Sequence, residues 1–239
     1  MKTERKMQHR NASKAGATCA IAGAALLLVG TYLHPMEANP NEPVAAFTEY
    51  AADDFWVFSH LMQLAGVASM VAALLFLTTV LETRRGPGIA RVAAGGAIAS
   101  LALAAALQAV DGIALKNMVD AWAAAPASQK GEVFHAAFAV RQIEVGLASM
   151  LILSFGLTAS LYGAALIGVR IYPAWFAALT MASGIPMIAS GVVMAYFGFS
   201  GLSMAINMPA SAILLVWMLT LGVLMWRQDG VSIDDEMSV

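Results

Sequence analysis

Phe55–Leu81, FWVFSHLMQLAGVASMVAALLFLTTVL, decides the fold. It contains no Lys, Arg, Asp or Glu, and its strongly polar side chains are His60 and Gln63. About 20 helical residues cross a hydrocarbon core. Lipid offers no water to backbone N–H and C=O groups, so such a segment must be a helix that satisfies them internally. The same test, applied outward along the chain, predicts five more spans at 15–33, 89–110, 145–168, 173–197 and 206–226.

Composition agrees. Of the 239 residues, 60% are hydrophobic and 12% charged, against about 45–50% and 25% in soluble domains. The mean hydropathy is +0.74. Disorder, a coiled coil and nucleic-acid binding all require far more charge. With Cys19 as the single cysteine, an intramolecular disulfide, a Cys-rich zinc site and a CxxCH haem attachment are excluded.

The chain therefore divides into a basic tail at 1–14, one transmembrane domain at 15–226 and a short acidic tail at 227–239. The apolar run at 15–33 is longer than a signal-peptide core and no small-x-small cleavage site follows it, so it is expected to remain as the first helix. With the N-terminus inside, the cytoplasmic segments hold Lys2, Arg5, Lys6, Arg10, Lys14, Arg84, Arg85, Arg91, Arg170 and Arg227. The other side holds Lys116 and Lys130, with Arg141 near the boundary. This asymmetry predicts both termini in the cytoplasm of a multi-pass inner-membrane protein.

Two outer regions are expected. The loop 34–54 has Pro35, Pro40 and Pro43, then an amphipathic stretch in which Val44, Phe47 and Ala51 share a face. Helical character continues through 111–125 and 131–144, broken by Pro126–Ala127–Ser128. The third and fourth spans should thus run past the membrane as an extracytoplasmic helical hairpin. The fold class is an all-α membrane protein of six transmembrane helices, N-in and C-in. Ala177, Gly184, Gly191 and Gly198, spaced by seven, form a small-residue stripe suited to close helix packing.

Intramembrane polar groups are the functional signal, because each ionisable one costs about 2.5–3.5 kcal/mol at a helix centre. His60 and Gln63, Gln108 and Asp111, and Arg141 and Glu144 are three i, i+3 pairs, each on one helix face. All lie toward the same side. Counted away from Pro126, Asp111 and Arg141 are equidistant, as are Gln108 and Glu144. Straight antiparallel helices would therefore join Asp111 to Arg141 as a structural ion pair and set Gln108 beside Glu144. That arrangement leaves His60, Gln63, Gln108 and Glu144 as the expected ligand-binding groups.

A metal reading would gather His34, His60 or His135 with Asp111 or Glu144, since imidazole and carboxylate suit zinc, iron or copper. No HxxxH or HExxH pair orients two such ligands on one helix, and His34 and His60 show no evident match in depth. The methionines, lacking an MxxM cluster, read as core filler. Walker, GxGxxG and GxSxG sequences are all missing. No cofactor is named by the residues.

His34–Pro35, Phe47–Tyr50, Gln108–Ala–Val–Asp111 with Lys116, Arg141–Gln142 with Glu144, and Phe197–Gly–Phe–Ser200 resemble the corresponding segments of an uncharacterised group of six-helix bacterial membrane proteins. The resemblance spans most of the chain and implies the six-helix fold, with no mechanism attached.

Three function classes follow. The leading expectation is a non-catalytic subunit or scaffold of a membrane assembly, given the short loops and missing reaction motifs. The second is a small-molecule binder, sensor or carrier using the polar cluster. The third is a metal- or haem-dependent membrane enzyme. The partners expected are membrane lipids, other membrane subunits or an amphiphilic small molecule, and no nucleic acid.

Overall fold

The structure, a computed structural model, describes residues 2–83 and 88–227, with side chains from 12 to 82 and from 88 to 227. The basic side chains before Ala12, Arg84, Arg85 and the acidic tail from Gln228 lie outside that description. Among the described residues the chain is helical and has no strands: α1 (Lys2–Leu33), α2 (Pro43–Ala52), α3 (Trp56–Thr83), α4 (Ile89–Gln108), a π-helical turn (Ala109–Leu115), α5 (Lys116–Ala124), α6 (Lys130–Val169), α7 (Ala174–Phe197) and α8 (Gly201–Arg227). Six helices are long and apolar enough to cross a membrane: Ala12–Leu33, Trp56–Glu82, Ile89–Ala124, Lys130–Val169, Ala174–Phe197 and Gly201–Arg227.

Small residues set the helix order. On α1, Gly16, Gly23 and Gly30 form a stripe at the same seven-residue spacing as that on α7. A Cβ at Gly23 would lie 2.7 Å from the Met70 backbone nitrogen, and one at Gly66 would lie 2.6 Å from that of Leu27. The backbones of α1 and α3 therefore approach as closely as two helices can. On α7, Gly184 meets the Gly156 carbonyl and Gly191 the Leu153 nitrogen, at 2.7 and 2.8 Å from the would-be Cβ, which seats α7 on α6. Gly198 does not continue that stripe. It ends α7 with φ +61°, a conformation open to glycine.

The 40 residues of α6 extend about 60 Å at 1.5 Å per residue, twice the roughly 30 Å of a hydrocarbon core. Ile89–Ala124, at 36 residues, is similarly too long. The excess of both forms a hairpin at one end of the bundle, closed by the turn at 125–129. Helix α2 lies against it: Phe47 packs on Trp122 and Phe134, with ring centroids 6.0 and 5.7 Å apart, and Tyr50 on Trp56 at 4.3 Å. Burial of Phe47, Trp56, Leu115 and Val119 makes this a second small core. Polar bonds fasten it. Lys116 Nζ donates to the carbonyls of Tyr50 and Ala51 in the last turn of α2, at 3.0 and 2.9 Å. Glu49 accepts from the backbone of Glu37 and Ala38, both at 2.9 Å, and so folds the loop back. The result is a cap over one end of the bundle.

Candidate functional site

The polar side chains lie beneath that cap. The end of α1 supplies His34, the start of α3 supplies His60 and Gln63, the α4 end and π turn supply Gln108 and Asp111, and α6 supplies Arg141 and Glu144. His34 and His60 sit side by side, with ring centroids 4.9 Å apart. The reason is the close α1–α3 packing: a Cβ at Gly30 would lie 2.8 Å from the Ser59 carbonyl, so the two backbones nearly touch just before each histidine. Their depths therefore match, contrary to the sequence-based expectation.

The pairing also differs. Asp111 does not meet Arg141 as an ion pair. Its Oδ2 lies 3.1 Å from His60 Nε2, while Arg141 Nη1 donates to Glu144 on its own helix at 2.6 Å. Gln108 donates to Gln63 Oε1 at 3.2 Å and is not hydrogen-bonded to Glu144. Counting from the turn assumes α geometry throughout, and the π turn breaks that assumption. Its i→i+5 bonding underwinds the helix, which turns Asp111 toward α3. Trp56 holds the turn open by donating from Nε1 to the Asp111 backbone carbonyl at 3.0 Å. Gly112 allows the approach, since a Cβ there would lie 2.7 Å from His60 Cβ.

Arg141 belongs to the cap as much as to the bundle. Its guanidinium lies 5.6 Å from the Tyr50 ring and 4.9 Å from that of Phe199, and it reaches the Pro40 carbonyl. Burial pushes the Tyr50 phenol up to about 12, against the opposing pull of Arg141. The phenol is thus neutral where the cation stacks on it.

Each imidazole is oriented by the backbone. His60 Nδ1 lies 2.6 Å from the Trp56 carbonyl and His34 Nδ1 lies 2.7 Å from the Pro35 carbonyl. A carbonyl only accepts, so Nδ1 carries a proton in both rings, and in the neutral form of each ring the lone pair is on Nε2. Burial, followed by the neighbouring His60, lowers the pKa of His34, outweighing Asp111, which raises it. The His60–Asp111 contact is within ion-pair distance, yet His60 Nε2 makes no directed hydrogen bond.

Five buried side-chain polar atoms among the described residues lack a hydrogen-bond partner, and three of them are here: His60 Nε2, Gln108 Oε1 and Asp111 Oδ1. A fourth, Asp53 Oδ2, is on the short connection into α3 and acts electrostatically on His34. One ligand atom from each of His34, His60 and Asp111 falls within 4.8 Å of the others. Sequence reasoning names all three but does not join them, and the stripe of Gly16, Gly23 and Gly30 is the signal that could have done so. His135 is exposed on the hairpin, against Phe134, and takes no part in this cluster. A haem ligated by both His34 and His60 does not fit, because rings in contact at 4.9 Å leave no slot for a porphyrin between them.

No protein-family model matches the chain, and no curated protein or solved structure is significantly similar to it.

Proposed function

We propose that this polytopic membrane protein is a binder of a small polar ligand, acting as a sensor or carrier, and that its site is the cluster under the cap. Three buried atoms without a hydrogen-bond partner, on α3, α4 and the π turn beneath the cap, carry this reading. A buried polar group without a partner costs about 1–3 kcal/mol, and roughly 90% of such groups in native interiors are satisfied. A scaffold accounts for the Arg141–Glu144 pair and the fastened cap. It offers no reason for leaving Asp111 Oδ1 and Gln108 Oε1 without hydrogen-bond partners.

His60, Gln63, Gln108 and Asp111 are the contacting groups in this proposal, with His34 beside them. Glu144 is engaged by Arg141 and serves to hold the cap in place. The bias of Lys and Arg supports an orientation with both termini in the cytoplasm of a bacterial inner membrane. In that orientation the cap and hairpin face outward, and lipid surrounds the bundle waist.

Native mass spectrometry of the chain extracted in mild detergent tests the binding reading. A low-mass species retained by the wild type and lost in Asp111→Asn is expected. Wild-type protein that always carries nothing, or a species indifferent to the substitution, contradicts it. For topology, cysteines placed at Asn41 and Ser128 should react with an impermeant thiol reagent in intact cells. One at Gly88 should not, and labelling there overturns the orientation.

A further inference from the structure

Resting on the binding reading above, we infer that His34, His60 and Asp111 form a three-ligand site for a divalent transition-metal ion of the zinc class, bound through both Nε2 atoms and a carboxylate oxygen.

The state of the donors points to a metal. Both imidazoles give their Nδ1 proton to a backbone carbonyl, at 2.6 Å for His60 and 2.7 Å for His34. Ligating histidines make this same bond from the ring nitrogen that does not face the metal, and it fixes the tautomer with the lone pair on Nε2. His60 Nε2 then faces Asp111 Oδ2 at 3.1 Å without hydrogen-bond direction. Two such atoms this close are held together by a shared cation, a proton or a metal ion. A proton there would make a directed N–H···O bond, whereas a metal ion needs only that both lone pairs converge.

Distance and donor type agree. Ligands around a tetrahedral zinc, at about 2.0–2.1 Å from the ion, are roughly 3.3 Å apart, close to the 3.1 Å between His60 and Asp111. One ligand atom from each of the three residues lies within 4.8 Å of the others, wider than around a single ion, so binding requires His34 to move inward. With that movement the spacings are those of donors that share one ion. Two nitrogens and one carboxylate oxygen suit zinc and its neighbours, while calcium takes about 6–8 oxygen ligands. Three protein ligands leave a fourth position for water or an exchangeable group. Asp53, with its buried unpartnered Oδ2, stands near enough to act on His34.

The test uses the untagged full chain in mild detergent, stripped with a chelator and titrated with Zn²⁺ or, as a visible reporter, Co²⁺. One ion per chain is expected, with the intense visible bands of a tetrahedral cobalt site. His34→Gln and Asp111→Asn should each weaken binding by about tenfold or more, and His135→Gln should leave it unchanged. Should one site variant fail to fold, the other carries the comparison. Uptake of less than half an ion per chain, wild-type affinity in both site variants, or loss in His135→Gln would overturn the site. An organic species found by native mass spectrometry and lost in Asp111→Asn, with no zinc taken up, ends the metal site and leaves the binding reading. Neither species nor metal ends both.

Discussion

The backbone of Gly112 lies flat against the side chain of His60: a Cβ at 112 would be 2.7 Å from His60 Cβ and 3.0 Å from its Cγ. One turn of underwound helix thus positions Asp111 and makes room for the imidazole it faces. Gly112→Ala must push the ring off Asp111 or move the π turn away from α3. The expected cost is about 1–3 kcal/mol of stability, together with loss of the bound species. Gly146 on α6 is the control, since nothing lies within 4 Å of its would-be Cβ. Gly146→Ala should be neutral or stabilising by about 0.5–1 kcal/mol. Unfolding in detergent checks both, and equal losses would show that the contact at Gly112 is unimportant.

Arg141 and Glu144 are both buried and bonded to each other. Removing one leaves the other without its partner, so Arg141→Met should cost about 3–5 kcal/mol. Replacing both with apolar residues of similar volume should recover most of that. In double-mutant cycles, Arg141 should couple more strongly to Glu144 than to Asp111. The reverse order would restore the pairing that straight-helix counting predicts.

Lys116 spans the joint between the cap and the bundle. Its ammonium holds two α2 carbonyls and pairs with Asp120 at 2.8 Å. Charge-assisted bonds of this kind contribute about 1.5–3 kcal/mol each before entropy is counted. Lys116→Met should therefore raise hydrogen exchange across 43–52 well before it affects the helices below. Unchanged protection in α2 would mean that the aromatic packing of Phe47 and Tyr50 suffices.

Hydropathy reads the fold well because lipid imposes one rule on every span. The expected 55–81 and 173–197 correspond to Trp56–Glu82 and Ala174–Phe197. The amphipathic stretch in the loop is α2, and the hairpin helices run on as their patterning indicates. The site is legible as residues and not as partners. A π turn leaves no clear mark on apolar periodicity, so periodicity points Asp111 in a direction it does not take. The match between His34 and His60 depends on how closely α1 approaches α3, a quantity written in Gly23, Gly30 and Gly66 and in no polar residue.

The stability of Asp111→Asn, measured after chelation and dialysis, is the most direct measurement. If His60 Nε2 carries a lone pair awaiting a ligand, the amide introduced by this substitution can donate to it. The ligand-free variant should then unfold at the same temperature as the wild type or higher, having lost an unpartnered carboxylate. If His60 and Asp111 are a protonated structural tie, the substitution breaks a buried ion pair and costs about 3–5 kcal/mol. A variant as stable as the wild type supports a ligand site under the cap; a loss of that size contradicts it.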